Sequence, residues 1–299
     1  MSTHAHNLRL RRARPASALK VALEGLLLEA DRPALVRNDP VELVRRYRDP
    51  HDQEVAGLLV AGLAYGRVSS IRDRAGAALD ALGPRPSVAI ASAEGLAALE
   101  GFVYRFQRGD DLPRFARAMA TLRQRHGSLA AAFALGVRPE APDHADAAAR
   151  FVAELRDAFG GTPSYGLRYL LPDPASGGAA KRLFLYLRWM IRPEDGLDLG
   201  AWPALVPELR PAGLILPLDT HISRIGRYLG LSDRNADDLR TAREMTATLR
   251  ALDPEDPVRY DMALCHLGIS GRCPRALDAD KCRVCTIAQV CRVPLRQRR

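Results

Sequence analysis

Apolar residues recur every three to four positions in "SALKVALEGLLLEA", "DQEVAGLLVAGLAYG", "LPRFARAMATLRQRHG", "ADAAARFVAELRDAFG", "AAKRLFLYLRWMIR", "HISRIGRYLG" and "ADDLRTAREMTATLRAL". That period puts them on one face of a helix. Ala, Leu and Arg dominate these stretches, and all three are good helix formers. The breaks between them are short and carry Gly or Pro: "LGPRPS", "GVRPEAPDH", "GGTPSYG", "LPDPASGG", "RPEDGLDLG" and "LRPAGLILP". No clean period-two run stands between turn residues, so no sheet is expected. The pattern predicts an all-α protein of about ten or more helices.

Composition narrows this only a little. A chain of 299 residues can bury a sizeable core in one or two domains. At 47% hydrophobic and 26% charged residues it reads as globular, not disordered. No stretch approaches the roughly 18 apolar residues of a membrane span. The start, "MSTHAHNLRLRRARPAS", is basic but has no apolar segment of the signal-peptide kind, so residues 1–16 read as a solvated tail and a cytoplasmic location is expected.

Charge changes the picture more. The net charge is +9, which favours polyanionic partners, nucleic acid first among them, although Arg-rich proteins that bind none are common. The excess is concentrated. From Gly271 to Arg299 there are eight Arg and Lys against two Asp.

The same segment holds four of the five cysteines. Cys273, Cys282, Cys285 and Cys291 follow C-x8-C-x2-C-x5-C. Disulfides are not expected in a cytoplasmic chain. Four thiolates so close together suit a tetrahedral zinc site or a four-cysteine iron–sulfur cluster, and spacing alone does not choose between them. Cys265, in the helical "YDMALCHLG", reads as a core residue.

Two stretches resemble a known family. "GRCPRALDADKCRVCTIAQVCR" is similar to the closing C-x6-C-x2-C-x5-C loop of the endonuclease III-like members of the helix-hairpin-helix-GPD superfamily of DNA glycosylases, with a first gap two residues longer. "LILPLDTHISRIGRYLGL" resembles the "VDTHI" segment and Arg-bearing helix of that superfamily. The resemblance implies two helical lobes around a DNA-binding cleft: residues 17–45 with 193–299, including a cluster loop over 273–291, and residues 46–192, ending in a hairpin. It also implies a [4Fe-4S] cluster on the four cysteines, zinc being the alternative, in a loop that offers Arg272, Arg275, Lys281, Arg283 and Arg292 to phosphates.

Asp219 stands before an apolar-periodic run and reads from the sequence as a helix N-cap. The resemblance gives it a second role, stabilising positive charge on the sugar as a base departs. Bifunctional members carry a nucleophilic lysine in a Gly-x-Gly-x-Lys hairpin. Here the counterpart is "LLPDPASGGAAKRLFLYLRWMIR", with Gly177, Gly178 and Lys181. It lacks that spacing and is followed by an insert, "RPEDGLDLGAWPALVPELRPAG". Lys181 therefore reads either as a solvated charge or as the amine that forms a Schiff base. As a helix, the segment puts Lys181, Leu185, Arg188 and Arg192 on one face. With the resemblance and the glycines at the helix start, Gly177, Gly178, Arg182 and Arg188 are candidate DNA contacts. Tyr65 and Arg67 interrupt an apolar helix where the superfamily fills the gap left by a flipped base; a helix-ending turn is the other reading. "FVYRFQRGDD" sets aromatics beside arginines, as base stacking or as core rings beside solvated charges.

The expected function is thus a monomeric DNA glycosylase, with lyase activity if Lys181 is the nucleophile, acting on duplex DNA. The alternatives are a non-catalytic iron–sulfur nucleic-acid-binding protein of the same fold, or an enzyme acting on RNA or an unusual modified base.

Overall fold

The computed structural model describes residues 15–37, 39–276 and 278–293, and among them the chain is all-helical. The first half runs α1 (Ala16–Leu28), α2 (Arg32–Arg37), α3 (Val41–Val44), α4 (Pro50–Leu63), α5 (Val68–Leu82), α6 (Pro86–Ala89), α7 (Ala93–Ala97), α8 (Asp111–His126) and α9 (Leu129–Ala134). The second half runs α10 (Ala145–Asp157), α11 (Tyr165–Leu170), α12 (Lys181–Ile191), α13 (Thr220–Leu229), α14 (Leu239–Arg250), α15 (Asp261–Ile269) and α16 (Ala279–Arg283). Extended pairing among the described residues is limited to two isolated bridges, Tyr104 with Gln107 and Gly178 with Asp238. The basic tail expected over residues 1–16 lies, but for residues 15 and 16, outside the described residues.

Local chemistry starts these helices where the sequence suggests. Asp49 accepts from the His51 N–H at 2.8 Å, and Pro50 occupies the first helical position of α4, where an N–H would have no partner. Ser164 caps α11 and Asp238 caps α14 in the same way. No helix among the described residues is long and apolar enough to cross a membrane.

The helices α4 and α12 form the centre. Most of α4 is buried, and α12 is buried from Leu183 to Ile191. They pack face to face at Gly57, where even a Cβ would press on Met190 and Tyr186. Around them Tyr186, Trp189, Trp202, Phe133 and Phe151 are fully buried, with Tyr186 edge-on to Trp202 at 5.3 Å. One connected apolar core runs from Leu19 to Val290, and it joins chain ends far apart in sequence: α1 packs on α15.

This central position corrects the amphipathic reading of α12. Arg188 is 2% exposed and Arg192 is 6% exposed. Arg188 is ion-paired with Asp198 and Asp261, and Arg192 with Asp198, Asp256 and Asp195. Buried cations are tolerated only when matched in this way. The carboxylates of Asp195 and Asp198 come from the insert after α12, so that insert closes over the helix and neutralises it.

Candidate active site

Three helix ends meet where the chemistry was expected. The first is the start of α13. Asp219 Oδ1 accepts from the His221 and Ile222 N–H groups, both at 2.8 Å, so the N-cap reading holds. Its other oxygen, Oδ2, accepts from the Cys265 thiol at 3.2 Å. One carboxylate oxygen anchors the helix while the other is held by a neutral donor. His221 packs against Gly268, where a Cβ would collide with its ring.

The second element is α15. Asp261 and Cys265 are one turn apart and share a face. Cys265 was expected in the core; it is half-buried, and its thiol is turned to Asp219. Burial, then the charges of Asp219 and Asp261, push the Cys265 thiol well up, so it stays a donor. Burial also raises Asp261 to about 6, against the pull of Arg188.

The third element is the start of α12. Lys181 is half-buried at the first helical position, and the charge it carries acts on Asp39, Asp261 and Cys265. Asp219 acts on the same Asp261 and Cys265. The charges of Lys181 and Asp219, the expected pair, thus both bear on Asp261 and Cys265. Burial pushes Asp39 up and His266 beside it down. No side chain caps α12, and Ala180 just before Lys181 takes a left-handed conformation, φ 44° and ψ 35°. A non-glycine residue there costs on the order of 1 kcal/mol. The segment before it docks by backbone: the Leu239 N–H donates to the Gly177 carbonyl at 3.0 Å. Gly177 and Gly178 are exposed. Two concavities elsewhere, of about 100 and about 580 Å3, are lined by neither Lys181, Asp219 nor Cys265.

The other expected DNA contacts divide. Arg188 is locked in the core by its two aspartates, which corrects its reading as a phosphate contact. Arg182 is half-buried; it donates to the carbonyls of Gly62 and Tyr169 and lies over the Tyr65 and Tyr169 rings at 4.9 and 4.6 Å. Tyr65 is half-buried and hydrogen-bonded to Gln107, while Arg67 is exposed. On the C-terminal segment Arg272, Arg275, Lys281 and Arg283 are all exposed. Three of them have near partners: Arg272 pairs with Glu29 at 2.6 Å, Arg283 with Asp280 at 3.1 Å, and Lys281 donates to the Gly271 carbonyl at 3.0 Å. Arg292 pairs with Asp233 at 2.5 Å.

The cysteine segment is tied to the site through α13. Arg224 donates to the Cys273 carbonyl at 2.7 Å, to the Pro274 carbonyl at 2.8 Å and to Cys273 Sγ at 3.5 Å. Cys273 and Cys285 pack against the core. Burial pushes the Cys273 thiol up, Arg224 opposes this, and Cys285 and Cys291 add to it. Among the described residues, however, no three His, Cys, Asp or Glu side chains stand as one bound metal would require. Four thiols in one short segment are nevertheless a donor set of the kind zinc and iron–sulfur centres use.

An all-helical chain with a lysine, an aspartate and a cysteine-rich loop is the class these observations define. Within it, the chain belongs to a family described as a protein of unknown function (DUF2400), whose model matches residues 39–270. The match begins at Asp39, spans Lys181, Asp219 and Cys265, and ends just before Cys273. Comparison with curated proteins gives no match, and neither does comparison with solved structures.

Proposed function

We propose that this protein is a DNA glycosylase whose reactive groups are Asp219 and Lys181. The observation that carries the reading is their convergence: both act on Asp261 and Cys265, although 38 positions separate them in the chain. The sequence resemblance to the helix-hairpin-helix-GPD superfamily supports it, as does the net charge of +9.

The two lobes, 46–192 and 17–45 with 193–299, flank the cleft in this reading. A damaged or modified base leaves the duplex and enters it, at a cost of a few kcal/mol. The bond from C1′ of the sugar to the base breaks first, and the Lys181 amine, having given its proton to the departing base, then donates its electron pair to C1′. The base leaves with that bond's electrons and takes up a proton. The negative charge on Asp219 Oδ2 stabilises the cationic sugar between these events. Ring opening then yields a Schiff base, from which strand cleavage follows. The exposed arginines near Cys273 and the glycines before Lys181 hold the phosphates. The four cysteines are the donors for a [4Fe-4S] cluster in this proposal, with a bracing role only; iron and acid-labile sulfide in the purified protein distinguish it from zinc.

Asp219→Asn tests the reading. Asparagine keeps the helix cap nearly as well as aspartate, so the substitution removes charge more than structure. Release of free base from a panel of damaged oligonucleotides should fall by about 100-fold or more, with DNA affinity retained. Full base release by the variant overturns the assignment. Binding without release by the unmodified protein leaves a nucleic-acid-binding module.

A further inference from the structure

A second surface adjoins this cluster through Arg182, the neighbour of Lys181. Tyr104 and Gln107 exchange backbone hydrogen bonds, N–H to carbonyl, at 2.9 and 3.4 Å. Arg105 and Phe106 are the two central residues of the tight turn so formed. Arg105 has φ 50°, at a position where such turns favour glycine. A strained arginine in that place marks a conformation imposed by its surroundings. Those surroundings are firm. Gln107 is fully buried, donates to the Gly166 carbonyl at 2.8 Å and accepts from the Tyr65 hydroxyl. Gly166 lets the Phe106 carbonyl rest on the α11 backbone, where any Cβ would collide with it.

The turn presents Phe106 to solvent at 44% exposure, and α11 presents Tyr165 at 59%. The two rings meet edge to face at 5.4 Å. Tyr65 backs Phe106 in a near-parallel stack at 5.9 Å and 15°, and Tyr169 abuts it at 4.7 Å. The rim is cationic. Arg67, Arg105, Arg108 and Arg168 are exposed, and none makes a salt bridge among the described residues. The nearby Asp111 is turned inward, accepting from the Arg108 N–H at 2.9 Å and from the Ser164 hydroxyl at 2.5 Å. Exposed rings backed by packed neighbours, beside exposed arginines without a carboxylate partner, match the two parts of a single-stranded nucleotide, a base with an open face and a phosphate. A closed duplex has no such face to offer.

We infer that Phe106 and Tyr165 form a stacking platform for an unpaired base of single-stranded DNA, beside the site of Lys181 and Asp219. The inference rests on the nucleic-acid reading above but not on the chemistry assigned to Asp219. It extends the substrate from a duplex with one displaced base to DNA with unpaired nucleotides next to it.

The test is fluorescence anisotropy of the full-length protein with a labelled oligothymidine of about 20 nucleotides, a blunt duplex and an oligouridine of the same length. The double variant Phe106→Ala with Tyr165→Ala should weaken binding to the single strand by about 10-fold or more, and to the duplex by less than about 3-fold. The conservative pair Phe106→Tyr and Tyr165→Phe should retain single-strand affinity. Should the double alanine variant fail to fold, Arg105→Ala decides: the slope of log Kd for the single strand against log salt should fall by about one. Unchanged single-strand affinity in a folded double variant overturns the platform, as does an equal loss on duplex, an unchanged slope in the Arg105 variant, or tighter binding of oligouridine. If the unmodified protein binds no DNA, both readings fail. If it releases base but the double variant binds like the parent, only the platform fails.

Discussion

The two ends of α12 carry the same kind of residue to opposite fates. At its start Lys181 is half-buried, and Arg182 spends its donors on two carbonyls. At its end Arg188 and Arg192 are sealed in the core by four aspartates. What differs is the supply of carboxylates. The segment after α12, the loop before α15 and the start of α15 deliver Asp195, Asp198, Asp256 and Asp261 to the far end, and there the cations become structure. Lys181, by contrast, makes no salt bridge among the described residues, so no carboxylate holds its amine in place. Charge type along a helix says little about role until the countercharges are placed.

The largest expected effect breaks this comparison at its structural end. Arg188→Met leaves Asp261 buried without its cation and Asp198 with Arg192 alone, and should cost about 3–5 kcal/mol, read by urea unfolding. Lys181→Ala, in the same assay, should stay within about 0.5 kcal/mol. Equal losses from both would erase the distinction between the two ends.

Asp261 sharpens it through pH. Its folded value of about 6 lies above the ordinary 3.8, so folding favours the protonated form. The contribution to stability is fully present below the ordinary value and is lost as pH rises through about 6, amounting to roughly 3 kcal/mol in all. Asp261→Asn should flatten that part of the stability profile between pH 4 and pH 7. A profile unchanged by the substitution would mean that the carboxyl is ionised throughout.

The smallest effect separates the two oxygens of Asp219. Asp219→Ala removes the cap of α13 and should cost about 1 kcal/mol, whereas Asp219→Asn should cost only a few tenths. Thermal unfolding of both variants measures the gap; equal costs would mean that the carboxylate's charge, not its cap, holds the helix.

Much of the helical fold was legible in the sequence. The "HISRIGRYLG" and "AAKRLFLYLRWMIR" patterns became α13 and α12, and Asp219 capped its helix as its position implied. The environment of α12 was not legible, because the partners of Arg188 and Arg192 lie 3 to 73 positions away and no periodicity records them. Cys265 and Asp261 escaped as site residues for a related reason. Their spacing of one helical turn puts them on one face, but only the fold turns that face to Asp219. Arg224 was visible as part of an Arg-bearing helix, yet its hold on Cys273 needed the loop to be placed. Phe106 and Tyr165 sat in segments dense in aromatics and arginine, and which ring faced outward depended on a turn at Arg105 that arginine rarely makes.

The central claim is that Lys181 and Asp219 act together on DNA. Borohydride trapping addresses it most directly, on oligonucleotides carrying an abasic site, oxidised pyrimidines, 8-oxoguanine, uracil or alkylated purines. The account predicts a covalent protein–DNA complex on at least one of them, absent for Lys181→Ala in a variant that folds and binds DNA. A complex that persists in that variant, or none with any member of the panel, would contradict it.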